Sequence, residues 1–263
     1  MKVNMVSRER NLRYFFDLVF QNAISGLRAE ASRGYLGVLW WVIEPVMYMG
    51  IFYIVFAHIF NRSDEKFIMF LLTGLIVWKW FQATINTGSN SLIANASLMN
   101  QVYLPKIVFP LTIIAINTFK FLIVLILFLT FFQFTSISPS IAWTFLPVLI
   151  LTQLLLIAAV ASLFAAIMPF FPDLRVILDN ILMMLFFLSG IFFDITKFPM
   201  SIQGYLWLNP MATLITMYRE ILLNGIPPDW LQLFLIMSFS FSILLLAVWL
   251  FNHFDRIYPK IIR

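Results

Sequence analysis

Cysteine is absent from this chain, which excludes disulfides, thiol redox chemistry and thiolate metal sites together. His58 and His253 are its only histidines. The hydropathy pattern sets them at opposite faces of a membrane, where they cannot share a metal. No Gly-x-x-x-x-Gly-Lys-Ser/Thr run occurs, so the chain has no phosphate-binding loop of its own. No Ser/His/Asp set and no pair of carboxylates converges on one place; Asp173 and Asp179 read as residues of the cytoplasmic edge. These absences argue against an enzyme. Residues 1–35 also lack the apolar core of a cleavable signal peptide and are charged from Lys2 to Arg33, so the start of the chain is expected in the cytosol.

Charge is scarce. Charged residues make up 11% of the 263 positions, against about a quarter in a soluble domain. Hydrophobic residues make up 62%, and the mean hydropathy is +0.95. Lipid is the solvent that accommodates such a chain. Its apolar runs are continuous and lack a period of two, which selects helices over a barrel. The net charge of +5 comes from scattered Lys and Arg, which read as orientation signals and not as a nucleic-acid surface.

The pattern predicts an all-α membrane protein with one transmembrane domain over residues 1–263. Residues 1–35 form a cytoplasmic or interfacial N-terminal segment, and 36–263 form a six-span bundle. Over 11–27, Leu12, Phe15, Phe16, Val19, Phe20 and Ala23 recur at helical spacing. This predicts an amphipathic helix on the membrane surface, or one packed on the protein's own cytoplasmic side. Spans are predicted at about Val38–Ile59, Phe67–Thr87, Ile107–Phe132, Trp143–Met168, Val176–Phe193 and Leu231–Phe251, each near the ~20 residues that cross hydrocarbon. Between the last two, Phe198–Gly225 is apolar but broken by Asn209-Pro210. Its halves are too short to cross, and two re-entrant helices on the outer side fit better. With both termini inside, eleven of the seventeen Lys and Arg residues fall in the cytosol. Arg62, Lys66, Lys197 and Arg219 fall outside, in keeping with the positive-inside rule.

Charge within a span must be paired or wet. Glu44 in the first span and Lys79 in the second lie at similar depth, roughly 10 Å from the inner face at ~1.5 Å per residue. They either pair or point separately into water. Lys79, Gln82 and Asn86, followed by Ser89 or Asn90, share one helix face, and Asn117 with Lys120 forms a shorter version on the third span. Such a stripe faces a cavity or bonds a neighbouring helix. Trp41, Tyr48 and Phe52 share a face with Glu44. Aromatic faces of this kind stack on sugars, though most aromatics here must face lipid or pack helices.

Several stretches resemble the membrane permease subunit of bacterial ABC transporters that export polysaccharides (O-antigen, capsule and teichoic acid). They are Arg33-Gly-Tyr-Leu-Gly-Val-Leu-Trp-Trp with Glu44-Pro45; Ser91-Leu-Ile-Ala-Asn-Ala-Ser-Leu-Met-Asn; Val102-Tyr-Leu-Pro-Lys with Pro110; Leu188-Ser-Gly-Ile-Phe-Phe; and Leu208-Asn-Pro-Met with Tyr218-Arg-Glu and Gly225. The resemblance runs from about Leu12 to Phe251. It implies a homodimer in the bacterial inner membrane around a central channel, with two copies of a separate ATPase that bind ATP and Mg. This chain would hold no cofactor, and its substrate would be an undecaprenyl-linked glycan, most readily an O-antigen. A coupling segment is implied at about Asn95–Lys106, with Asn95, Leu98, Asn100, Tyr103, Pro105 and Lys106 toward the ATPase. A second contact at Asp173 departs from the family's Phe-Arg-Asp, since this chain reads Phe171-Pro172-Asp173-Leu174-Arg175 and Arg175 must substitute. Channel and gate residues would be Trp41, Glu44, Tyr48, Phe52, Lys79, Gln82, Asn86 and Lys120. Arg28 and Arg33 are placed to meet a lipid pyrophosphate, or equally to anchor on anionic lipid. The rival readings are an exporter of another substrate (a drug, a peptide or a lipid), a glycan-modifying membrane enzyme and an ATP-independent channel.

Overall fold

The computed structural model describes residues 3–32, 37–55, 65–101, 104–135 and 137–262. Every regular element among them is helical. In order they are α1 (Val3–Ser32), α2 (Trp40–Ile54), α3 (Glu65–Ser89), α4 (Ser91–Ala94), α5 (Ala96–Gln101), α6 (Val108–Phe132), α7 (Leu146–Ile167), α8 (Leu174–Leu188), α9 (Met200–Leu206), α10 (Pro210–Arg219), α11 (Trp230–Phe254) and α12 (Tyr258–Ile261). Four stretches are long and apolar enough to cross a membrane: Lys66–Ser89, Val108–Phe132, Ile141–Ile167 and Trp230–Phe254.

The bundle is built around α3, which packs against α7, α6 and α10. Trp78, Phe81 and Ile85 are buried there, and the Trp80 ring stacks on Phe121 of α6 at 4.0 Å. Small residues make close packing possible on α7, where Ala159, Ala161, Ser162, Ala165 and Ala166 are buried. Gly88 of α3 lies so near Ala161 that an added Cβ would stand 3.2 Å from the alanine methyl. Small residues are what bring membrane helices together when both are already in an apolar solvent. A side-chain bond fixes the same pair: Gln153 Nε2 donates to the Val77 carbonyl at 2.9 Å.

Helix α1 is longer than the amphipathic stretch at 11–27 because Arg-Ala-Glu-Ala continues with good helix formers. It lies along α6, with Ala23 buried and Gly26 against Ile116, while Phe16 and Phe20, two turns and one turn earlier on the face that Ala23 shares, stay exposed. The turn into α2 depends on glycine at one place: Gly37 has φ +44°, and a Cβ there would collide with the Ala31 carbonyl. Gly34 lies outside the described residues, as do residues 56–64 at the far end of the predicted first span.

One predicted span is shortened and one predicted break holds. The predicted fifth span, Val176–Phe193, is helical only from Leu174 to Leu188, 15 residues or about 22 Å. It ends at Ser189-Gly190, where Gly190 has φ +71°. The break inside Phe198–Gly225 falls where Asn209-Pro210 places it. Asn209 caps α10 by accepting from the Met211 amide at 3.0 Å, with Pro210 in the first turn, the position where proline's missing N–H costs nothing. Its own amide donates to Ser189 Oγ at 2.8 Å, which ties the start of α10 to the end of α8.

Arg219, counted above among the outer charges, is 4% exposed. Its Nε donates to the Phe70 carbonyl at 3.0 Å, Nη1 to Gly190 at 2.8 Å and Nη2 to Ile191 at 2.8 Å. The guanidinium also lies 3.4 Å from the centre of the Phe70 ring. One side chain thus joins α3, the turn after α8 and the end of α10. Gly74 makes room for it, since an added Cβ would stand 2.6 Å from Nη2. Arg219→Lys cannot reproduce three divergent bonds and strands buried carbonyls, a loss of about 3 kcal/mol or more. The apparent melting temperature in detergent is expected to fall by roughly 5–10 °C. Gly74→Ala should lower it through the same guanidinium, so the double variant should lose less than the sum. Unchanged melting of Arg219→Lys would remove Arg219 as the tie.

Candidate functional site

Between Ile68 and Ser89 the exposed positions of α3 are Lys79, Ala83 and Thr87, one helical stripe, flanked by half-buried Gln82 and Asn86. The rest of that stretch is buried apart from half-buried Phe70. The stripe faces two cavities. The first is a cleft of about 220 Å³ between α2, α3 and α6. Trp41, Glu44 and Tyr48 of α2, Lys79 of α3, and Asn117 and Lys120 of α6 meet in it, over an apolar floor that includes Leu72, Leu75 and Val124. Five residues singled out from sequence as channel lining are therefore brought to one place: Trp41, Glu44, Tyr48, Lys79 and Lys120.

Their partnerships differ from the simplest expectation. Glu44 is exposed, and no ion pair joins it to Lys79 among the described residues. The Lys79 ammonium instead lies 4.2 Å from the centre of the Tyr48 ring, where the negative face of the aromatic attracts it. Lys120 pairs with Glu30 of α1 and lies 5.6 Å from the Trp41 ring. Glu30 carried no signal in the sequence, because its partner is ninety positions away on another helix. The spacing of charges along one helix reveals a shared face but not what crosses to meet it.

The second cavity, about 350 Å³, takes up the same stripe at the far end of α3. Asn86, Thr87 and Asn90 line it with Ser91 and Asn95, and Arg175 and Asp179 enter from α8. Asn117 Nδ2, in the first cleft, donates to Thr87 Oγ1 at 3.0 Å, so the two cavities meet at that bond. Gln82 sits half-buried between them and lines neither.

The segment expected to couple to an ATPase is held from behind by a second apolar core. Leu92, Met99 and Phe109 pack there with Ala165, Ala166, Phe251, Tyr258 and Ile262. The Tyr258 hydroxyl donates to the Ala166 carbonyl at 3.0 Å. Lys106, expected on the contact surface, is turned inward: it is 3% exposed, 3.7 Å from Asp255 and bonded to the Leu104 carbonyl at 3.1 Å. A buried ammonium needs such partners, and Asp255 supplies the charge. Leu98, Pro105, Asp173, Arg175 and Arg28 are exposed, and Asn95 is half-buried, its amide donating to the Ser91 carbonyl at 2.8 Å. Arg33 and Tyr103 lie outside the described residues, and Phe52 and Asn100 are described by their backbone alone.

The arrangement offers a polar, partly aromatic path along one helix, open to exchangeable ligands, with no metal-binding cluster among the described residues. The family model described as ABC-2 type transporter matches residues 26–223. The chain is 25% identical to an O-antigen export system permease protein RfbA of Klebsiella pneumoniae, over 90% of its own length and 93% of that protein's. It is 26% identical to the protein of the same name from Myxococcus xanthus, over 86% and 87% of the two lengths. It is 28% identical to a polysialic acid transport protein KpsM of Escherichia coli, over 86% and 89%.

The contact between Lys79 and Tyr48 predicts the outcome of paired substitutions. In a double-mutant cycle on thermal stability, Tyr48→Leu and Lys79→Gln should couple by about 0.5–1 kcal/mol. Glu44→Gln and Lys79→Gln should add within about 0.3–0.5 kcal/mol. Coupling of the second pair and not of the first would reverse the assignment.

Proposed function

This chain belongs to the ABC-2 type transporter family, and we propose that it is the channel-forming membrane subunit of an ATP-driven polysaccharide exporter. The observation that carries the reading is the exposed polar stripe of an otherwise buried α3, opening on a cleft with Trp41, Tyr48, Lys79 and Lys120. A stripe that faced lipid would be costly, whereas a hydrated polymer supplies hydrogen bonds, and its sugar faces meet aromatic rings. The named relatives, matched over most of their length, act on O-antigen and polysialic acid. That supports a polysaccharide over a drug, a lipid or a glycan-modifying reaction, and the form we propose is a lipid-linked O-antigen.

In this reading the chain is one permease domain of six spans. α2 and α8 cross together with the four longer segments, both termini lie in the cytosol, and α9 and α10 form the re-entrant pair on the outer side. Two copies enclose the channel. Two copies of a separate ATPase bind ATP and Mg and press on the segment from Asn95 to Lys106, with Asp173 and Arg175 as a second contact. Because Lys106 is buried against Asp255, it positions that segment from within, and Leu98 and Pro105 present its outer surface. Trp41, Glu44, Tyr48, Lys79, Asn86 and Lys120 line the path, and Gln82 stands between its two cavities. Arg28 and Arg33 guide the pyrophosphate of an undecaprenyl-linked glycan toward it.

Depleting the chain in its native cell should remove a polysaccharide from the surface while glycan accumulates inside, and the tagged protein should co-purify with an ATPase. An unchanged surface glycan would refute the export reading. The double variant Arg28→Ala, Arg33→Ala should reduce surface glycan about tenfold, as expected for losing charge-assisted bonds to one phosphate group. Undiminished export would leave these arginines as ordinary lipid anchors.

A further inference from the structure

The second cavity has a chemistry of its own. It is lined by the amides of Asn86, Asn90 and Asn95, and two of its polar atoms, Asn86 Oδ1 and Ser91 Oγ, are buried without a hydrogen-bond partner in the protein. Ser91 is 1% exposed. A buried polar atom left in that state costs about 1–3 kcal/mol, so a shift of this wall that lets a ligand bond either atom is favoured. Asp179 and Arg175 stand at its rim on α8, four residues apart, and form no ion pair with each other among the described residues.

From this we propose that the cavity is a saccharide-binding vestibule, and that one of its walls is the coupling segment itself. Amides both donate and accept, a carboxylate accepts, and a guanidinium donates. A ligand whose groups do both, such as a polyhydroxylated sugar, can satisfy them together. A phosphate diester has acceptors for Arg175 but meets the Asp179 carboxylate and has no hydrogen to donate to Asn86 Oδ1. An acyl chain or an apolar drug leaves both buried oxygens as they are. The volume of about 350 Å³ lies in the range of small-molecule sites, roughly 300–1,000 Å³, and suits one stretch of a polymer rather than its bulk.

The coupling consequence follows from the wall. Ser91, Ala94 and Asn95 line the cavity, and Asn95 is bonded to the Ser91 carbonyl. Displacement of the segment after Asn95 therefore reshapes the sugar site directly. The Asn117–Thr87 bond then hands the path on to the first cleft. This inference rests on the export reading above and adds to it the place where glycan and coupling segment touch.

The test uses the whole transporter in its native cell. A benzophenone amino acid, which inserts into C–H bonds that sugars offer and inorganic phosphate lacks, is placed at position 90 and, separately, at position 48. Illumination during export should give a periodate-staining glycan adduct at both. Asn86→Leu should lower surface glycan about tenfold, the scale of one lost buried hydrogen bond, while the ATPase still co-purifies. An adduct at 48 with none at 90 overturns the vestibule and leaves the export reading in place. Absence of adduct at both positions overturns both. Full export by Asn86→Leu also overturns the vestibule, since its central amide would then contribute nothing.

Discussion

Hydrocarbon offers a polar group no hydrogen bond, and this one constraint arranges the chain around α3. Its apolar faces are covered by α6, α7 and α10, which leaves Lys79, Ala83 and Thr87 as the exposed stripe. Whatever meets that stripe must be wet or polar, and the neighbouring helices comply. α2 brings Tyr48 and Glu44, and α6 brings Asn117 and Lys120. Neither lysine is locked into a deeply buried ion pair. One rests on an aromatic face and the other pairs with a carboxylate that is itself exposed. Contacts of this strength, about 0.5–1 kcal/mol, hold a charge in position without locking it there.

The same constraint takes a different form at Arg219. Here the charge is buried, and three backbone carbonyls replace its water. Two of them belong to the turn after α8, whose helix therefore stops at Leu188 and presents Gly190 and Ile191 instead of continuing to Phe193. Gly74 on α3 and the positive φ of Gly190 are the two backbone concessions that admit the guanidinium. Asn209 bonded to Ser189 repeats the tie one step away. A short α8 and a capped α10 are thus parts of one polar arrangement.

Much of this was legible in sequence, for physical reasons. Long apolar runs announced the four stretches able to cross a membrane to within a few residues. A three- and four-residue spacing revealed the stripe from Lys79 to Asn90, and Asn209-Pro210 marked the start of α10, since a cap and a first-turn proline are local chemistry. Contacts between distant elements were not legible. Glu30 meeting Lys120, Asp255 meeting Lys106 and Tyr258 reaching Ala166 each depend on how two helices settle against each other. Arg219 misled for a related reason: counting arginines as exposed orientation signals assumes that none is dissolved in carbonyls.

The second core decides how a push at one end of the molecule can matter at the other. A surface loop tethered only at its ends would absorb displacement by bending. The segment carrying Leu92 and Met99 cannot, because it is packed against Phe251, Tyr258 and Ile262 at the end of α11 and beyond it, and against Ala165 and Ala166 of α7. Close packing transmits strain instead of dissipating it. Lys106 and Asp255 add a charged contact between the same two regions. Moving the segment therefore moves the end of α11 with it, and through α4 the last turn of α3, where Asn86 and Asn90 stand. The polar stripe and the segment around Leu92 and Met99 are two sides of one packed unit.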